Sequence, residues 1–177
     1  MKDNLLHVED QLLVMAARDG DVEALEKLVG RWQKKLWRYV YRRTSDSQAT
    51  WDITQQCWLE IIKGIRKLND PACFKAWAYR IATNKLIDWL KDKHKEHPVR
   101  PNSIDVDGHQ NDNDLSVKEL LHKLKNESRT VLSLYYFEEL SVTEISIALR
   151  VKPGTVKSRL FTAREELKEL WDKYFGD

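Results

Sequence analysis

The chain has 177 residues, 42% of them hydrophobic and 33% charged, with a net charge of +2 and only two cysteines. This composition suits one domain or two modest ones. It excludes a disulfide framework, and no apolar run is long enough to span a bilayer. No signal peptide precedes Leu5, so the expectation is a cytoplasmic protein without direct membrane insertion. The net charge hides a division along the chain. Residues 1–95 carry 18 basic and 13 acidic side chains, 96–114 carry one and five, and 115–177 carry 11 and 10. Two neutral-to-basic blocks are thus joined by an acidic connector.

The N-terminal block reads as all helix. Gly20-Asp21 opens a pattern carried by Val22, Leu25, Leu28, Trp32, Leu36 and Tyr39, and Ser45 to Ser47 interrupts it. A second amphipathic run covers roughly Gln48 to Lys67. Asn69-Asp70-Pro71 predicts a turn whose acid caps the next helix, about Ala72 to Lys95. That helix sets Phe74, Trp77, Ile81 and Leu90 among Lys75, Arg80, Lys85, Lys91 and Lys93. Six tryptophans fall in this block, and most are expected in its core, because so small a bundle needs large buried side chains. Cys57 and Cys73 are expected to pack as small hydrophobes.

Asp52, Gln55 and Gln56 put an acid and two amides on neighbouring turns beside Trp51, Trp58 and Leu59. That suits a polar-rimmed protein interface. Pattern alone favours the plainer reading of a solvated helix face. The mixture of cations and aromatics around Arg66 to Phe74 and along the following helix fits a groove for single-stranded nucleic acid. Asn84 and Asp88, one turn apart, would contact nucleotides in such a groove or simply lie at the surface, and the pattern leaves both open.

Pro98 and Pro101 introduce HPVRPNSIDVDGHQNDNDLS, which has no sustained helical period and reads as a linker. Beyond it, the segment from Ser141 to Leu167 reads as a helix-turn-helix. Ser141 and Glu144 form a capping box, followed by Ile145, Ala148 and Leu149 on one narrow face. Arg150 to Lys152 is the break, and Pro153 suits a helix start because its missing N–H would be unpaired there anyway. Val156, Leu160, Ala163, Leu167 and Leu170 make the buried stripe of the second helix. Thr155, Lys157, Ser158, Arg159 and Thr162 lie mostly off it, where a DNA-reading helix needs cations and hydroxyls. An ordinary surface hairpin is the bland alternative. Glu138-Glu139 and Glu165-Glu166 read as solvated charge at a helix end and on a helix surface.

No glycine-rich phosphate loop or nucleophile–base spacing occurs, and Cys73, His94 and His97 lack paired metal-ligand spacing. No catalytic residue, cofactor or metal site is expected.

Taken together, these segments resemble a bacterial sigma factor of the extracytoplasmic-function (ECF) group of the sigma-70 family, from about Ala16 to Leu170. GDVEALEKLV followed by DITQQCWLEI looks like the family's first conserved region. FKAWAYRIATNKLIDWLK resembles the aromatic, Ile-Ala-x-Asn and Asp pattern of the promoter-melting helix. ESRTVLSLYYFEELSVTEISIAL with PGTVKSRLFTAR is similar to the second domain.

The resemblance implies an all-α chain of two small helical domains. A region 2-like bundle would span 1–95, a flexible acidic linker 96–114, and a region 4-like helix-turn-helix domain 115–177. It implies an alternative sigma factor that binds core RNA polymerase, through the clamp helices and the flap, and performs no covalent chemistry. Asp52, Gln55, Gln56 and Leu59 would meet the polymerase. Arg66, Lys67, Asn69, Lys75, Arg80, Asn84 and Lys85 would hold the opened −10 strand, with a base extruded into a pocket. Thr155, Lys157, Ser158, Arg159, Phe161, Thr162 and Arg164 would read or flank the −35 duplex. Most members are held inactive by an anti-sigma factor, so such a partner is implied too. The linker would thread the polymerase cleft, where Asp105, Asp107, Asp112 and Asp114 would occupy a basic channel until RNA displaces them.

Two departures stand out. Arg150 replaces the glycine usual in the helix-turn-helix turn, which either strains a left-handed backbone or changes the turn. Thr162 stands where an arginine is frequent, which puts the −35 preference in question. The alternative from another class is a self-sufficient DNA-binding regulator with an N-terminal sensor or dimerisation block. That block, however, lacks a βαβ receiver pattern. A helical metal-dependent enzyme would need ligand spacing the sequence does not offer.

Overall fold

The computed structural model describes residues 2–96 and 117–176, with side chains for residues 7–93 and 119–176. Every regular element among them is a helix. The acidic residues Asp105, Asp107, Asp112 and Asp114, and with them the expectation for the linker, lie outside the described residues.

Four helices build the N-terminal block: α1 (Lys2–Arg18), α2 (Val22–Thr44), α3 (Ser47–Gly64) and α4 (Phe74–Glu96). Asp21 accepts the Ala24 N–H at 3.1 Å and Asp46 accepts that of Ala49 at 3.1 Å, so each caps the helix it precedes. Ser45 ends α2 with a left-handed backbone (φ 52°), and Asp46 opens α3 directly after it. The interruption seen in the sequence is therefore one sharp corner. After α3 come two 3-10 turns, Ile65–Lys67 and Pro71–Cys73. Asp70 caps the second by accepting the Ala72 N–H at 2.9 Å, and the turn runs straight into α4.

Leu28, Trp32, Leu36 and Tyr39 recur at helical spacing on α2 and are buried against Phe74, Ala78, Tyr79 and Ala82 of α4. Trp32 meets Phe74 edge-on at 5.2 Å between ring centroids, and Tyr39 meets Tyr79 in the same way at 5.2 Å. The Tyr39 hydroxyl lies 2.7 Å from that of Thr83, which satisfies its buried polar end.

Three sequence expectations change here. Only Trp32 and Trp58 of the six tryptophans are buried; Trp37, Trp77 and Trp89 are partly covered and Trp51 is exposed. Cys57 is buried as expected, but Cys73 sits half-exposed at a helix start, with its thiol 3.6 Å from Asp70. The carboxylate of Glu138, read as solvated, is 6% exposed and takes part in the packing between the blocks.

The C-terminal block holds α5 (Val117–Lys123), α6 (Asn126–Leu132), a π-helical turn at Ser133–Phe137, α7 (Val142–Leu149) and α8 (Pro153–Phe175). The Ser141–Glu144 capping box is formed, with Ser141 Oγ accepting the Glu144 N–H and Glu144 accepting that of Ser141. Arg150 occupies the left-handed region at φ 54°, so the turn keeps the geometry for which glycine is suited and places a bulkier residue in it. Val156, Leu160 and Ala163 are buried, and Leu167 and Leu170 pack partly beneath them. The two blocks lie against each other: α7 packs on α4, and their apolar interiors join into one cluster.

Candidate protein and nucleic-acid interfaces

Three surfaces follow from this arrangement. The first is the outer face of α3. Ile53, Thr54, Cys57, Trp58 and Ile61 turn inward, which leaves Asp52, Gln55, Gln56 and Leu59 on the opposite side, all exposed. Trp51, Leu59 and Ile62 add apolar area to the same side, Leu59 being 57% exposed. Gln48 donates to Asp52 at 3.3 Å and holds its carboxylate at the surface. An apolar strip edged by an acid and two amides is a suitable surface for a protein partner.

The second surface is the turn after α3 together with α4. Arg66, Lys67 and Asn69 are exposed on the turn, and the Asn69 carbonyl accepts a bond from Arg18 at 3.2 Å. On α4 the expected residues do not share one face. Trp77, Arg80 and Asn84 lie along the outward side, with Asp88 one turn beyond Asn84. Lys75 is nine residues before Asn84, hence about half a turn away around the helix. It reaches into the C-terminal block, where its ammonium donates to the Glu139 carbonyl at 2.9 Å. Lys85 points along the flank to Glu60 of α3 at 3.0 Å. The structure therefore exposes Arg66, Lys67, Asn69 and Asn84, leaves Arg80 partly covered, and commits Lys75 and Lys85 to other partners. Arg80 has a lowered pKa, first from partial desolvation and then from Arg150 nearby.

The third surface is α8. Ser158, Phe161 and Thr162 lie opposite the buried stripe, with Lys157 and Arg164 on one flank and Thr155 and Arg159 on the other. Phe161 is 66% exposed, an aromatic ring free to contact a partner at the centre of this face. Two of the cations are restrained: Arg159 lies 3.4 Å from Glu127, and Arg164 donates to the Tyr136 hydroxyl at 2.9 Å while lying over the rings of Tyr135 and Tyr136. Lys157 reaches solvent. Hydroxyls and an aromatic at the centre with cations at the edge match what a major groove presents, base edges and methyl groups between two phosphate rails.

Among the described residues no group of three or more histidine, cysteine, aspartate or glutamate side chains is placed to hold a metal, and no helix is long and apolar enough to cross a membrane.

Comparison with known proteins finds a match in each of the two blocks. The sigma-70 region 2 model matches residues 28–96, and the sigma-70 region 4 model matches residues 114–167. Together they cover more than half of the chain. The RNA polymerase sigma-H factor of Pseudomonas aeruginosa is 27% identical, over 92% of this chain and 94% of its own length. The ECF RNA polymerase sigma factor SigW of Bacillus subtilis is 26% identical over 88% and 93%, and the ECF sigma-E factor of Escherichia coli K12 is 28% identical over 89% and 92%. Among solved structures, CnrH in complex with the cytosolic domain of CnrY superposes with a TM-score of 0.71 at 23% identity, covering 93% of this chain and 98% of that one. RpoE of Bartonella quintana, in complex with the anti-sigma factor NepR, gives 0.70 at 20% identity, covering 85% and 98%. These two show a shared fold.

Proposed function

The chain belongs to the sigma-70 family, in its extracytoplasmic-function group, and on that premise we propose how each of its surfaces serves an alternative sigma factor. Such a factor binds core RNA polymerase and directs promoter-specific initiation. One observation carries the reading: both family regions occur in one chain, in order.

In this reading residues 1–95 are the region 2 domain, 96–114 the linker and 115–177 the region 4 domain. The α3 face of Asp52, Gln55, Gln56 and Leu59 docks on the polymerase clamp helices. Arg66, Lys67, Asn69, Arg80 and Asn84 hold the opened −10 strand. Extruding a base costs a few kcal/mol of lost stacking, which contacts to the backbone and the flipped base offset. Lys75 and Lys85 join that set once their present partners are exchanged. On α8, Ser158, Phe161 and Thr162 face −35 base edges, and Thr155, Lys157, Arg159 and Arg164 flank them near phosphate. The protein positions the polymerase and leaves catalysis to it, acting in the cytoplasm. The solved complex of RpoE with NepR supports an anti-sigma factor as a further partner.

The α3 assignment is tested by capturing bacterial core polymerase with the wild-type chain and with Asp52→Ala/Gln56→Ala. Both side chains are exposed, so thermal stability stays unchanged while capture falls by roughly tenfold, the effect of about 1.4 kcal/mol. Equal capture by both chains would remove α3 from the interface.

A further inference from the structure

A cavity of about 390 Å³ lies where α2 faces α5, α6 and the π-helical turn. Arg38 and Tyr41 line it from α2, Leu121 from α5, Arg129 from α6, and Ser133 and Phe137 from the turn. At roughly 30 Å³ per water the space would take about a dozen. That is the size of a small-molecule site, for which the range begins near roughly 300 Å³, and not of a packing defect.

Its charge is one-sided. Three arginines reach the wall, and one of them, Arg42, is paired with the Glu138 carboxylate. Among the described residues Arg38 and Arg129 form no ion pair. Arg129 is the more informative of the two, because it is 7% exposed. One of its terminal nitrogens donates to the carbonyls of His122 and Leu124 at the end of α5, and its Nε has no hydrogen-bond partner. Desolvation, and after it repulsion from the buried Arg43, hold the Arg129 pKa down at about 10. The α5 carbonyls satisfy part of the guanidinium but bring no formal negative charge. A buried cation without a counter-charge is costly, and arginine in such a place ordinarily meets a carboxylate or a phosphate.

The rest of the wall is aromatic or apolar, and its rings are held in place. Tyr41 is stacked on Trp37 at 4.7 Å between centroids, and Phe137 lies beneath the Arg42 guanidinium at 4.7 Å. Ser133, 3% exposed, adds a hydroxyl. Two available guanidinium groups beside two rings and a leucine suit a ligand with one acidic group on an apolar body. A polyphosphate would ask for more cations and leave the apolar wall uncovered. A planar carboxylate can accept two parallel N–H bonds from one guanidinium.

We propose that this cavity binds a small amphipathic carboxylate, an aliphatic or aromatic acid, whose carboxylate pairs with Arg129 and Arg38 and whose body lies on Phe137, Leu121 and Tyr41. The site shares no residue with the proposed promoter and polymerase surfaces. Its test therefore needs neither DNA nor polymerase, and its outcome is independent of the sigma-factor reading.

The test uses the full-length protein and two probes, sodium octanoate and sodium phenylacetate. Octanamide serves as the uncharged control and sodium acetate as the acid without a body. Thermal denaturation and titration calorimetry read binding. At ten times its dissociation constant a ligand of the native state should raise the melting temperature by about 4 °C. At least one probe is expected to do so with one site per chain, while octanamide and acetate bind at least tenfold more weakly. Arg38→Gln changes an exposed residue, so the fold survives, and it should weaken the probe roughly tenfold through loss of a charge-assisted bond. Leu121→Trp keeps every charge and fills the cavity, and once cooperative melting shows it folded it should bind no probe. No protection by either carboxylate would overturn the site. So would equal binding by octanamide, or undiminished binding by both folded variants. Equal protection by acetate would leave an anion contact without the apolar seat and overturn the amphipathic assignment.

Discussion

Arg31 of α2 binds Asp10 of α1 through Nε at 2.7 Å, a polar tie beside the buried Val14 and Ala17 that pack the first helix on the bundle. The Asp10 carboxylate is largely covered, and Arg31 extends a second bond to Glu9 at 2.8 Å. Replacing Asp10 by alanine leaves the Arg31 guanidinium half-buried with one partner lost, a cost of roughly 1–3 kcal/mol. In a chain of this size each kcal/mol lowers the melting temperature by about 2–4 °C. The Asp10→Ala protein is expected to melt several degrees early, with α1 amides losing exchange protection ahead of those of α2.

Arg150→Gly should stabilise the protein. A left-handed conformation costs an L-residue about 1–2 kcal/mol, and glycine gives back roughly half of that gain through its greater freedom when unfolded. The substitution also removes a like charge whose repulsion, after desolvation, lowers the Arg80 pKa. A melting temperature raised by about 2 °C is expected from thermal denaturation. A lowered one would mean that the Arg150 side chain contributes more than its backbone costs.

Cys57 should report on global unfolding. Burial pushes its thiol up to about 12, so it stays neutral and shielded near neutral pH, whereas Cys73 is half-exposed. Alkylation at pH 8 is expected to modify Cys73 in the native protein and Cys57 only after denaturant is added. The sign of the pH effect follows from the raised value. Below the ordinary thiol range the group is neutral in both states and costs nothing. Above about pH 9 the unfolded chain gains stability by releasing its proton, so this site lowers stability as pH climbs towards 12.

On α8 the flanking and central residues are predicted to behave differently. Lys157→Ala should weaken binding of a −35 duplex by a similar factor for every sequence and reduce the salt slope by about 0.9, the value for one phosphate contact. Phe161→Ala should leave the slope alone and change which base pairs are preferred, because an apolar group discriminates through contacts such as the thymine methyl. Titrations at several salt concentrations separate the two.

Much of this fold could be read from local chemistry. Asp21, Asp46, Asp70, the Ser141–Glu144 box and Pro153 mark helix starts, and all of them act within three residues of themselves. The stripe of Val156, Leu160 and Ala163 is legible for the same reason. What escaped the sequence depends on distant partners. The pattern read from the sequence begins only at Gly20-Asp21 and omits α1, where Val14 and Ala17 are buried beside a charged Asp10 while Leu12 and Met15 stay exposed. Which of the six tryptophans would be core was not legible, and Trp51 is surface, since burial of a large ring depends on which helix packs above it. Glu138 had no local mark to distinguish it from Glu139, and its main partner Arg42 lies 96 residues away. Lys75 appeared to belong with Asn84 until the helix phase set them on opposite sides.

The most direct measurement is run-off transcription with bacterial core RNA polymerase, the purified protein and a library of promoter fragments. The account predicts specific transcripts only when protein and core are both present, from fragments that share two spaced elements. Failure to bind core or to start transcripts, with a DNA fragment retained by the protein alone, would contradict it and identify a self-sufficient DNA-binding regulator instead.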